Sequence, residues 1–88
     1  MMPEGLKLQS ARGQDPSVER TIDDLAEIGA MVAARRKTRG LSQQDFADLA
    51  GVGRRFVSEL ERGKPTAEIG KTLRVLNTLG LDLVIRSR

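Results

Sequence analysis

The sequence predicts an all-α domain of four short helices followed by one C-terminal strand, and three observations carry that expectation. Apolar residues recur at intervals of three or four in separate runs between residues 22 and 79. Each run is followed directly by a glycine, at Gly40, Gly51, Gly63 and Gly80, the residue that most readily takes the left-handed conformation closing a helix. After Gly80 the period shortens to two, with Leu81, Leu83 and Ile85 alternating with Asp82, Val84 and Arg86.

Residues 1–20 hold two of the three prolines and no sustained apolar period, which predicts an arm of low order. Leu6 and Leu8 alternate within it, a weak strand signal. Thr21 with Asp24 resembles a capping box, and the acid pair Asp23 and Asp24 suits the positive end of a helix dipole. Ile22, Leu25, Ile28 or Gly29, and Val32 then keep helical spacing, giving a first helix over residues 22–39. Ser42 with Asp45 repeats the cap, and Phe46, Ala47 and Leu49 supply an apolar side to a second helix that Gly51 ends. Gly53 begins a third, in which Val57 and Leu60 lie one turn apart, and Gly63 before Pro65 stops it. Thr66 caps a fourth of about thirteen residues, with Ile69, Leu73, Leu76 and Leu79 at helical spacing. The division expected is an arm over 1–20, a helical domain over 21–80 and a strand over 81–88.

A strand needs a neighbour. Leu6 to Leu8 is the one weak candidate within the chain, so the more economical partner for Leu81, Leu83, Val84 and Ile85 is the same segment of a second copy across a two-fold axis. A homodimer also suits the size, because an 88-residue chain buries only about 60% of its unfolded surface.

Composition narrows the chemistry. With no Cys and no His, neither disulfides nor a Cys/His zinc site supplements the core, and the common nucleophiles and general bases are missing. The carboxylates fall at caps and on helix faces instead of in a paired cluster, so no catalytic residue, metal or cofactor is expected. The first twenty residues lack an apolar signal-peptide core and no run reaches the roughly 18 apolar residues that span a bilayer, which points to a cytoplasmic protein without membrane contact. Net charge is only +3, but the cations are bunched: Arg35, Arg36, Lys37 and Arg39, then Arg54 and Arg55, then Arg62 and Lys64. Such runs are most often solvated helix faces, and otherwise mark a surface for phosphate backbones or acidic partners.

The stretch SQQDFADLAGVGRRFVSELERG, Ser42 to Gly63, decides between those readings. Two short helices joined by a turn of three residues at Gly51 make a helix-turn-helix, whose second helix enters the major groove of DNA. Ala47 is the small residue where the helices cross, Gly51 permits the turn, and Val52, Val57 and Leu60 fill the shared core. At 100° per residue Val57, Leu60 and Glu61 share one side of the third helix, leaving Arg55, Ser58 and Arg62 on the other with Arg54 and Glu59 flanking. Arginines near the start of such a helix reach guanine O6 and N7 in pairs, so Arg54 and Arg55 rank first as base readers. Ser58 follows as a base or phosphate contact, then Glu59, which accepts from cytosine N4 or restrains a neighbouring arginine. Gln43 at the start of the second helix, with Arg62, Lys64 and Thr66 at and beyond the end of the third, are the phosphate contacts expected.

These residues resemble the Xre/Cro family of lambda-repressor-like domains over about Ile28 to Gly80. The resemblance implies that Arg36 and Glu61 form a buried ion pair locking the first helix to the third, with Arg35, Lys37 and Arg39 left facing solvent. Within that family, GKPTAEIGKTLRVLNTLGLDLVIR is most similar to HipB-like antitoxins, in which a helix after the reader runs into a dimer-forming strand. It implies a homodimer on a palindromic operator of double-stranded DNA, repression of its own operon, and a toxin partner, often a HipA-like serine/threonine kinase. A stand-alone Xre-type repressor without a toxin uses the same reader chemistry, and an interaction adaptor built on the same fold is the remaining alternative. Two departures stand out: Gly53 where relatives have a Ser or Thr cap, and the arm before Thr21.

Overall fold

The computed structural model describes residues 19–88. Its regular elements are four helices: α1 (Leu25–Thr38), α2 (Gln43–Ala50), α3 (Arg54–Glu61) and α4 (Ile69–Thr78). The weak strand signal at Leu6 to Leu8, and most of the expected arm, lie outside the described residues.

Local chemistry sets each boundary. α1 starts three residues later than expected, because Asp24 and not Thr21 is its N-cap, its carboxylate accepting the Glu27 N–H at 3.1 Å. Glu27 in turn accepts the Asp23 N–H at 3.1 Å, one residue before the cap, so the arrangement is a variant of the capping box and not its strict reciprocal form. Ser42 caps α2 by accepting the Asp45 N–H at 3.0 Å. Gly53 starts α3 with extended backbone and no side-chain bond. Glu68, not Thr66, caps α4, accepting the Lys71 N–H at 2.7 Å, and this helix is 10 residues long. All four helices end at the glycines read from the sequence. At Gly51 (φ 73°) the Val52 N–H reaches back to the Ala47 carbonyl, which turns the chain sharply enough for α3 to cross α2.

The core is one cluster of Val32, Phe46, Ala47, Ala50, Val57, Leu60, Val75, Leu76 and Leu79, through which α3 packs against α1 and α2, and α2 against α4. Full burial of a side chain such as Phe46 or Leu60 contributes about 1.5–3 kcal/mol. Two apolar faces differ from expectation. On α2 it is Ala50, not Leu49, that joins Phe46 and Ala47 inside, and Leu49 is 66% exposed. On α4 the inward residues are Thr72, Val75 and Leu76, with Leu79 just beyond, while Ile69 is 60% exposed. Thr72 turns inward without loss because its hydroxyl donates to the Glu68 carbonyl at 2.8 Å.

Among the described glycines, Gly29 of α1 is the most tightly approached. A Cβ there would overlap the Leu60 carbonyl oxygen and lie 3.1 Å from that of Glu61, so α1 and α3 cross with backbone nearly touching backbone. Residues 81–88 follow Gly80 with Leu81 half-buried on the core and Leu83, Val84 and Ile85 exposed. No strand ladder forms among the described residues; ladder bonds need a second strand.

Candidate nucleic-acid interface

The helix-turn-helix is built from α2, the turn at Gly51 to Gly53, and α3. Val57 and Leu60 are fully buried, so the inner flank of α3 is fixed and its outer flank is presented as a rigid surface. Arg54 is exposed at its first position and the Arg55 side chain is 90% exposed beside it. Ser58 is half-buried one turn on and Arg62 is exposed at the C-cap. A guanidinium at the start of an anchored helix has the reach and donor geometry for a base edge.

Glu59 does not project alone. Its carboxylate accepts from Arg55 Nε at 3.2 Å and from Lys64 Nζ at 3.1 Å, joining the helix to the loop that follows. The hydrogen bonds from Lys64 and then Arg55 hold its carboxyl below the usual glutamate range. Thr66 is exposed in the same loop, clear of the capping role expected of it.

Behind the reader, Arg36 and Glu61 form the buried pair. Arg36 Nε and Nη2 meet the two Glu61 oxygens at 2.7 and 3.0 Å, and Nη1 donates to the Leu41 carbonyl at 2.7 Å. Glu61 also accepts from Gln43 Nε2 at 3.0 Å. Burial alone pushes the Glu61 carboxyl up, but the bonds from Arg36 and Gln43 and the charges of Arg36 and Lys37 outweigh it, leaving it below its usual value. The Glu61 bond likewise raises Arg36 further, so the pair is fully ionised. Gln43, expected as a phosphate contact, is therefore tied by its amide to the ion pair. The backbone N–H groups of Gln43 and Gln44, in the first turn of α2, take no acceptor among the described residues and mark the positive end of that helix.

Several roles were not legible from the sequence. Arg35 and Arg39 do not simply face solvent: Arg35 donates to the Leu79 carbonyl at 3.5 Å, and Arg39 to those of Thr78 and Leu79 at 3.4 and 3.1 Å. Arg74 does the same for Gly51 at 3.1 Å. Much of the basic run in α1 thus closes helix ends, and Lys37 is the member left exposed without such a bond. The signal available was the spacing of Arg35 and Arg39, one turn apart on one face. Among the described residues no cluster of acidic side chains is arranged to hold a metal ion, and no helix is long and apolar enough to cross a membrane.

This architecture, a trihelical reader with a buried arginine–glutamate clamp and a fourth helix behind it, defines a DNA-binding regulator domain. The helix-turn-helix family model matches residues 32–85. The HTH-type transcriptional regulator y4mF of Sinorhizobium fredii is 55% identical over 60 residues, 68% of this chain and 79% of that protein. The chain belongs to the helix-turn-helix family of Xre-type transcriptional regulators. Among solved structures, HipB in the HipB–O4 20mer complex and in the HipA–HipB–O2–O3 complex superposes with a TM-score of 0.69 in each. Both matches cover 78% of this chain and 97% of HipB at 16% identity, a likeness of fold. The restriction-modification controller protein C.AhdI of Aeromonas hydrophila superposes with a TM-score of 0.59 at 30% identity, over 67% of this chain and 86% of that one.

Proposed function

We propose that the chain is a sequence-specific DNA-binding repressor that acts as a homodimer and serves as the antitoxin of a type II toxin–antitoxin pair, repressing its own operon and neutralising a toxin. The observation that carries the DNA-binding part is the exposed pair Arg54 and Arg55 at the start of a helix whose opposite flank is buried. In this reading Arg54 and Arg55 read bases, with Ser58 and Glu59 beside them. Arg62, Lys64, Thr66 and the first turn of α2 at Gln43 lie against phosphates and set the register. The C-terminal segment, with Leu83, Val84 and Ile85 exposed beyond α4, joins two copies strand to strand. Two α3 helices then enter successive major grooves about 34–36 Å apart on a palindromic site.

The toxin partner is supported by the fold shared with HipB, which one solved complex places with HipA; a HipA-like kinase is the partner class that this favours. The test is co-expression of the full chain with the product of the adjacent reading frame. Relief of growth arrest and co-purification of the two proteins are expected, and growth arrest that the chain leaves untouched contradicts the antitoxin role. In that event the stand-alone repressor remains, a reading supported by the 30% identity to C.AhdI, a controller protein.

A further inference from the structure

We infer that Glu59 is a specificity-determining residue of the reader helix: it acts as an internal counter-ion to Arg55 and Lys64, lowering affinity for DNA of arbitrary sequence. The inference rests on the DNA-binding reading above and concerns a carboxylate in an otherwise cationic surface.

Both Glu59 oxygens are used, one by Arg55 of the helix and the other by Lys64 of the loop, at 3.2 and 3.1 Å. The arrangement has little to do with holding the fold. Arg55 is 90% and Lys64 47% exposed, and solvent-exposed pairs of this kind contribute little to stability. Its consequence lies at the interface. Counted along α3 and the loop, Arg54, Arg55, Arg62 and Lys64 are the cations available to a duplex, and Glu59 is the one carboxylate at helical spacing on their stripe. Phosphates, present at every sequence, must compete with Glu59 for Arg55 and Lys64 and also approach its negative charge. A site that places a guanine under Arg55 and a cytosine N4 amine beside Glu59 gives both groups new partners, and only such a site offsets the loss. Glu59 therefore acts mainly by weakening binding to the wrong sequence, which raises the ratio of specific to non-specific affinity.

The probe is a mixed-sequence 20-base-pair duplex titrated with the full chain across 50 to 200 mM salt. Glu59→Gln keeps the side-chain shape, and freeing one cation for a phosphate steepens the log–log salt slope by about 0.9, an extra loss of about 3.5-fold over that range. The variant is expected to bind the probe about tenfold more tightly at 50 mM salt. Asp82→Asn, the same charge change at an exposed position outside the reader, is expected to leave binding within twofold of wild type, and Glu59→Gln/Lys64→Gln to lose most of the gain. An unchanged thermal midpoint in Glu59→Gln separates the effect from folding. If wild type binds in a salt-dependent way and Glu59→Gln binds no more tightly, or gains no more than Asp82→Asn does, the inference is overturned while the DNA-binding reading stands. If neither protein binds any duplex, both are overturned.

Discussion

Arg36 and Glu61, 25 residues apart in sequence, meet through hydrogen bonds of 2.7 and 3.0 Å with side chains only 9% and 8% exposed. The pair ties the C-terminal half of α1 to the C-terminal end of α3. Removing one partner strands the other as a buried charge, at a cost of about 3–5 kcal/mol. Arg36→Met should therefore shift the urea midpoint far more than the double replacement Arg36→Met/Glu61→Leu, which leaves no charge unpaired. Equal losses in the two would show that the pair, and not the stranded charge, dominates.

The same pair sets an acid limit. The Glu61 carboxyl lies below its ordinary value of 4.5 in the folded chain, so the folded state binds that proton less readily than the unfolded chain. Its contribution is thus complete above about pH 4.5 and is lost as pH falls through the lowered folded value. Chemical denaturation between pH 7 and pH 3 should show stability falling below that point in wild type, with a shallower fall in Glu61→Gln. Parallel curves for the two proteins would remove Glu61 from the acid response.

Gly29 and Gly53 should respond in opposite directions. Alanine at Gly29 improves helix propensity by about 1 kcal/mol, but its methyl meets the backbone of Leu60 and Glu61, and overpacking of this kind costs about 1–3 kcal/mol. Because the obstacle is backbone and not a movable side chain, Gly29→Ala should lower the thermal midpoint. At Gly53 nothing lies within 4 Å and the backbone is already extended, so Gly53→Ser supplies the missing cap of α3 and should stabilise by a few tenths of a kcal/mol.

Leu83, Val84 and Ile85, beyond α4, are exposed, at 41%, 58% and 94%. If two copies pair through this segment, removal of residues 81–88 should give monomers at micromolar concentration while the helical circular dichroism of α1 to α4 persists. A truncated chain that still sediments as a dimer places the contact elsewhere.

The helix ends were legible because glycine in the left-handed region leaves an unmistakable trace; Gly40, Gly51, Gly63 and Gly80 all have positive φ. The N-terminal ends were less so. Thr21 and Thr66 have the right chemistry for caps, but Asp24 and Glu68 stand at the positions where the chain leaves extended backbone. The buried face of α1 is the instructive case. It consists of Gly29, Val32 and Arg36, a gap, one apolar residue and a cation, so a search for apolar period alone barely registers it. The pairing of Arg36 follows from the family resemblance, whereas Gln43 joining Glu61, and Arg35, Arg39 and Arg74 closing carbonyl ends, depend on contacts between elements far apart in the sequence. The exposed arginines at the start of α3 followed from periodicity, since burial of Val57 and Leu60 leaves Arg55 nowhere but outside.

The most direct measurement compares wild type and Arg55→Ala on two duplexes of equal length, one enriched by repeated selection with the wild-type chain and one with the same bases scrambled. If the Arg55 guanidinium reads a base pair, the variant should lose about 1–3 kcal/mol of binding on the selected duplex and much less on the scrambled one. Equal losses on both would make Arg55 a phosphate contact only, and failure of selection to enrich any sequence would contradict sequence-specific reading by α3.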